Sequence, residues 1–314
     1  MLTILLAAAA ATQPVQVAPG ITLIEGQVTA HKGPDGNSIF IEAPEGLILV
    51  DTGRHPEHRD RLLAFARERK RPIAAIVNTH WHLDHATGNG DIRAAHPKAE
   101  IYATPAVEGA LKTFLRDSRE RTEAGLAAGQ IPPERQAEVR RFLAVMADPA
   151  PLRPDHPFAT SSTVTIAGKA LHLNVAPFAA TEADLWIYDP ATKVAIVGDL
   201  VVDVVPFMDT ACPEGWRTAL DAIAATPFVT LVPGHGKPMT RVQFQTWRTA
   251  YDNLLDCAAG SQSSDACAMG WRRDAAEFVA GEDPGRIEAM TKYYLEMRLR
   301  AKPEERERYC RPLG

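Results

Sequence analysis

The stretch Thr79-His80-Trp81-His82-Leu83-Asp84-His85 places three imidazoles and a carboxylate within seven residues. Imidazole nitrogen and carboxylate oxygen are the donors that zinc takes outside thiolate sites. The preceding run Ile73–Val77 is short and apolar, as a buried strand is, and leads straight into Thr79 and His80. Just past a strand, His80 and His82 can converge on one ion, while Asp84 and His85 point to a second beside it. A lone histidine is most often structural, but this spacing is a metal-ligand pattern.

Three further motifs stand at expected strand ends. Asp51-Thr52-Gly53 follows Leu47–Val50, Gly198-Asp199-Leu200 follows Val194–Val197, and Pro233-Gly234-His235-Gly236 follows Val229–Val232. Singly each is weak, because an Asp after a strand commonly serves a turn. In this order they reinforce one another. Asp199 can bridge two metals, one through each oxygen, and His235 in its glycine-flanked loop can complete the second position.

The elements that must hold these loops are legible as patterns. Ile21–Val28, Ser38–Glu42, Glu100–Ala103, Thr163–Ile166, Ala170–Val175 and Leu185–Tyr188 read as further strands, and His58–Arg69 as an amphipathic helix. Residues 106–158 break the rhythm. They read as a helical insertion with a break at Ile131-Pro132-Pro133, and such an insertion can lie over a site. After Pro238 the chain reads as a helical C-terminal extension, 241–314, with Phe244, Trp247, Tyr251 and Leu254 on one face.

Composition narrows the function. Of 314 residues, 46% are apolar and 23% charged, which allows a sizeable core, and the net charge of −5 disfavours nucleic acid as a partner. Residues 1–11 read as a signal peptide: an apolar run too short to span a bilayer, ending in alanines, although no Lys or Arg precedes it. The mature chain is then expected in the periplasm or secreted, without stable membrane insertion. Four cysteines agree with an oxidising compartment: Cys257 and Cys267 flank a polar loop that a disulfide could close, and Cys212 and Cys310 could form a second bridge. Four buried free thiols are the alternative. Nothing in the sequence specifies an oligomeric state.

The order of Asp51-Thr52-Gly53, the His80–His85 cluster, Gly198-Asp199-Leu200 and Pro233-Gly234-His235-Gly236 resembles the metallo-β-lactamase superfamily over about residues 21–240. The bridging aspartate is similar to the glyoxalase II and lactonase-type hydrolases. The leader and cysteine-bearing tail are more like periplasmic members, including quinoprotein relay system zinc metallohydrolases. The resemblance implies an α/β fold, an αββα sandwich with the metals at one edge. It assigns His80 and His82 to a first zinc, Asp84, His85 and His235 to a second, Asp199 as the bridge, and Asp51 as a support behind the ligands. It also implies hydrolysis of a small ester, thioester, lactone or lactam by hydroxide formed on zinc, which lowers the pKa of bound water to about 7. Asp84 both ligates and can orient or shuttle the proton.

The pattern departs at one residue. A third first-site histidine is expected ahead of Leu185–Tyr188, where this chain has Ala179-Ala180-Thr181-Glu182-Ala183-Asp184. Ala180 stands at the histidine position, and a methyl group cannot ligate zinc. Three outcomes are open: a weakened first site of His80, His82, Asp199 and water; a mononuclear second site; or an inactive periplasmic metal-binding or accessory protein. Glu182 could in principle swing in as a substitute carboxylate. His31, His55, His58, His96, His156 and His172 read as structural or surface residues.

Overall fold

A computed structural model describes residues 13–28 and 32–311. The expected leader, residues 1–11, and His31 lie outside the described residues. Seven strands form one sheet in chain order: β1 Val15–Ala18, β2 Ile21–Ile24, β3 Ser38–Ala43, β4 Gly46–Val50, β5 Ile73–Val77, β6 Glu100–Ala103 and β7 His156–Pro157. Six more form the second: β8 Ser162–Ile166, β9 Lys169–Pro177, β10 Ala183–Asp189, β11 Val194–Ile196, β12 Thr230–Val232 and β13 Met239–Thr240, ordered β13-β12-β11-β10-β9-β8.

The period of two in each strand builds the layers. In β4, Ile48 and Val50 face the other sheet, and in β10 Leu185 and Ile187 do the same; these residues share one core with Leu171, Leu173, Ile196 and Val232. The alternate residues face outward. Leu47 and Leu49 pack on α1 (Pro56–Glu68) through Leu62 and Phe65. Trp186 and Tyr188 pack into the cluster built on the helices of the chain's second half. The result is helix, sheet, sheet, helix, the expected αββα sandwich.

The short helices α2 (Leu83–Ala86) and α3 (Asn89–Ala95) follow β5. Residues 106–158 carry α4 (Val107–Lys112), α5 (Phe114–Ala127) and α6 (Gln136–Ala147), broken at Pro133. After α7 (Pro213–Ala225), α8 (Arg241–Ala259) begins with a capping box, Thr240 and Gln243 each satisfying the other's backbone N–H. Phe244, Trp247, Tyr251 and Leu254 are buried on its inner face. Two buried indoles do more than fill space. Trp216 Nε1 donates to the Leu200 carbonyl at 3.0 Å and Trp247 Nε1 to the Val202 carbonyl at 2.6 Å. They pin the segment that follows Asp199.

The tail continues with α9 (Ser264–Asp274), α10 (Ala276–Val279), α11 (Pro284–Tyr294) and a π turn at Leu295–Leu299. Both expected cysteine pairs are joined, Cys212–Cys310 and Cys257–Cys267, and none of the four is a free thiol. Among the described residues no helix is long and apolar enough to cross a membrane.

Candidate metal centre

Two parallel strand pairs, one in each sheet, deliver the site. β4 and β5 run in register at Val50 and Val77, and β11 and β12 at Ile196 and Val232. The residue after β4 is Asp51; the loop after β5 carries His80 and His82, with Asp84 and His85 in α2; Asp199 follows β11 and His235 follows β12. The six residues expected as ligands are thus brought to one edge of the sandwich.

Three donors, from Asp84, His85 and His235, lie within a metal ion's reach of one another, and Asp199 stands beside two of them. His85 Nε2 lies 3.7 Å from Asp84 Oδ2, 3.1 Å from Asp199 Oδ1 and 3.3 Å from His235 Nε2. His235 Nε2 lies 3.2 Å from Asp84 Oδ2 and 3.5 Å from Asp199 Oδ1. Zinc bonds of about 2.0–2.2 Å make a tetrahedron with edges of about 3.3–3.6 Å. The three distances among Asp84, His85 and His235 bracket that range, so these residues fit such an ion, with the Asp199 carboxylate close to two of them.

The other oxygen of Asp199 faces the first pair. Oδ2 lies 3.7 Å from His80 Nε2 and 4.0 Å from His82 Nδ1. His80 Nε2 is buried without a hydrogen-bond partner and faces Asp199, as a ligand atom would. His80 groups with His85 and Asp199, while His82 stands wider. Ala180 is buried, and its methyl group offers nothing to an ion. Glu182 does not take its place: its carboxylate lies against Gly109 of α4, where burial pushes it up to about 7, and it belongs to neither donor cluster.

Hydrogen accounting fixes which nitrogen each histidine offers. Asp51 Oδ1 accepts the Thr79 N–H at 2.8 Å, and Oδ2 accepts the Thr79 hydroxyl at 2.7 Å. The Thr79 oxygen, its proton committed, must accept from His80 Nδ1 at 3.0 Å, which leaves Nε2 unprotonated. Asp51 Oδ2 also accepts from His85 Nδ1 at 2.8 Å, again leaving Nε2 for the ion. Asp51 therefore orients two ligands, the supporting role expected for it.

Electrostatics are those of a cation site. Burial opposes ionisation of Asp84 and Asp199, but the neighbouring His85 and His235 outweigh it and hold both carboxyls well below the usual range. Burial, with His85 and His82 alongside, keeps His80 neutral. Burial opposes charge on His85 too, yet Asp199, Asp84 and Asp51 outweigh it and raise it well above an ordinary histidine.

Sequence patterns missed the packing that holds the loops. Asn37 is buried; its amide donates to the carbonyls of Pro233 and Gly236 at 2.9 and 2.8 Å, which anchors the His235 loop. A Cβ at Gly36 would collide with the His85 ring, and one at Gly234 with the Asp199 carboxylate. His55 and His58 are structural, as expected, but buried and paired: His55 with Asp35 at 2.9 Å and His58 with Ser38 at 2.8 Å. His156 is exposed beside Glu100.

A cavity of 440 Å³ opens onto His82, Asp84, Asp199 and His235. Its wall is mainly apolar, with Trp81, Phe207, Phe114 and Phe142 of the 106–158 stretch, and Met290 and Tyr294 of the tail; Arg54 and Arg286 stand at its side.

Comparison with known proteins agrees with this fold. A linear primary-alkylsulfatase of Pseudomonas sp. (strain ATCC 19151) is 28% identical over 223 residues, 64% of this chain and 41% of that protein. The chain therefore spans about two fifths of the length of that relative. The metallo-beta-lactamase from Pontibacter korlensis superposes with a TM-score of 0.56 at 18% identity, over 77% of this chain and 99% of that one. The stereoselective inverting sec-alkylsulfatase from Pseudomonas sp. superposes at 0.55 with 21% identity, over 78% and 42%. At these identities the structural likeness speaks for the fold. The family model of the metallo-beta-lactamase superfamily matches residues 32–235, with the whole ligand set inside or at its boundary, and the chain belongs to that superfamily.

Proposed function

We propose that this chain is a zinc-dependent hydrolase acting on small esters, thioesters, lactones or related substrates whose non-reacting part is apolar. The observation that carries the reading is the apolar cavity opening directly onto the donor cluster. In this reading Asp84, His85, His235 and one oxygen of Asp199 hold one zinc, and His80, His82 and the other oxygen hold a weaker second. Zinc bound there supplies Lewis acidity and lowers the pKa of water to about 7. Asp84, ligating while facing the cavity, is the residue placed to hold the proton released at the reacting centre. The aromatic wall excludes water and seats the substrate's hydrocarbon, and low polarity strengthens every charge at the site.

The sulfate-ester chemistry named for two relatives makes alkyl sulfates part of the same panel. The two disulfides support export to an oxidising compartment, as does the expected leader. Ala180 favours a second reading, an accessory protein that binds metal and an apolar ligand without turnover.

A chain-length series on the zinc-loaded protein decides between them. With p-nitrophenyl esters from acetyl to octanoyl, kcat/KM is expected to rise by up to about fourfold per methylene seated in the cavity, the equivalent of about 0.8 kcal/mol. Absence of turnover across esters, thioesters, lactones, lactams and dodecyl sulfate contradicts the hydrolase reading. A flat series contradicts the role given to the cavity.

A further inference from the structure

The middle histidine of the cluster, His82, is held from a distant part of the chain. His82 Nε2 lies 2.9 Å from Thr210 Oγ1, and Thr210 is fully buried. The same hydroxyl donates to the Ala180 carbonyl at 3.0 Å. A hydroxyl has one proton, so with that proton on Ala180 it can only accept from His82. The neutral ring then carries its hydrogen on Nε2, and its lone pair is on Nδ1, the atom facing Asp199 Oδ2. Thr210 does for His82 what Thr79 and Asp51 do for His80 and His85.

Thr210 is itself held by the tail. Asp209, one residue before it, accepts from Arg298 Nε at 2.7 Å. Cys212, two residues after it, is bonded to Cys310 and donates its backbone N–H to the Ala179 carbonyl at 2.9 Å. The 209–212 segment is thus clamped on both sides by residues far along the chain, next to the position where the third first-site imidazole is missing.

We propose that Thr210 is a positioning residue for the metal ligand His82, and that the C-terminal tail acts on the first metal position through it. The role rests on the metal-binding reading above, but part of its test does not. Long-range 1H–15N spectra of the metal-free protein report the His82 tautomer without any metal. Wild type and Thr210→Ser are expected to show the single Nε2-protonated form, and Thr210→Val, equal in size but without a hydroxyl, a mixture or the other tautomer.

In chelator-competition titrations the more weakly held zinc, at the His80–His82 position, is expected to bind about 10–100-fold more weakly in Thr210→Val, with the tightly held zinc unchanged and Thr210→Ser close to wild type. Arg298→Gln and the paired Cys212→Ser/Cys310→Ser variant are expected to weaken the same zinc while sparing the tightly held one. A wild-type tautomer in Thr210→Val, or an altered tautomer with wild-type zinc affinity, overturns the role of Thr210. Tail variants with an unchanged zinc affinity at the His80–His82 position overturn the role of the tail. If wild type binds no zinc at all, the metal reading fails, while the spectra still decide what Thr210 does to His82.

Discussion

Asp199→Asn is expected to strip the site of metal and reduce hydrolysis to background. Asp199 stands between the two positions: its Oδ1 is 3.1 Å from His85 Nε2, and its Oδ2 is 3.7 Å from His80 Nε2. The amide keeps the shape of the side chain but removes the charge and turns one oxygen into a donor. One position or the other then faces an N–H2 group. Zinc affinity is expected to fall by more than the about 10–100-fold that loss of a supporting contact costs. The fold should survive, because Asn fits the space. Chelator competition beside circular dichroism checks both statements, and a folded variant that holds zinc as wild type does contradicts the bridging role.

Asp51→Asn is expected to produce the second-largest effect from a residue that need not touch metal. Asp51 accepts from the Thr79 N–H, the Thr79 hydroxyl and His85 Nδ1, all buried. An asparagine can satisfy only part of this set, and an unsatisfied buried partner costs about 1–3 kcal/mol. The backbone at this position is left-handed, φ 58°, a conformation that Asn tolerates and Ala does not. The Asn variant therefore isolates the side-chain effect. Denaturant midpoints of the metal-free protein should fall by an amount equivalent to about 1–3 kcal/mol. Zinc affinity should fall by about 10–100-fold as His80 and His85 lose their fixed tautomers. Unchanged affinity would mean that the ligands are oriented by packing alone.

Much of this site is readable from local pattern. Ile73–Val77 and Glu100–Ala103 are strands over just those residues, and the other long apolar strands begin and end within a few residues of expectation. Each ligand motif follows such a strand, so locating the strands locates the ligands. Three strands carried no readable signal. Val15–Ala18 and His156–Pro157 are short and largely polar or exposed, and Met239–Thr240 is a two-residue edge strand; none is long enough to show a period.

The partners that hold the ligands were equally silent. Thr210 lies 128 residues from His82, and the amide of Asn37 reaches a carbonyl 196 residues away. A single Thr or Asn in a loop has no periodicity, and its partner is set by the packing of the two sheets and the tail. Ala180 is the reverse case. It was visible as a missing ligand, but only the fold reveals Glu182 turned to Gly109 and a threonine hydroxyl seated at its carbonyl.

The centre is asymmetric: Asp84, His85 and His235 lie close together with Asp199 beside them, whereas His80 and His82 stand 3.7 and 4.0 Å from the other Asp199 oxygen. Zinc titration of the metal-free wild-type chain under chelator competition tests it most directly. One tightly held zinc per chain is expected, and a second held much more weakly. Two zincs of equal, tight affinity would contradict it, as would a chain that holds none.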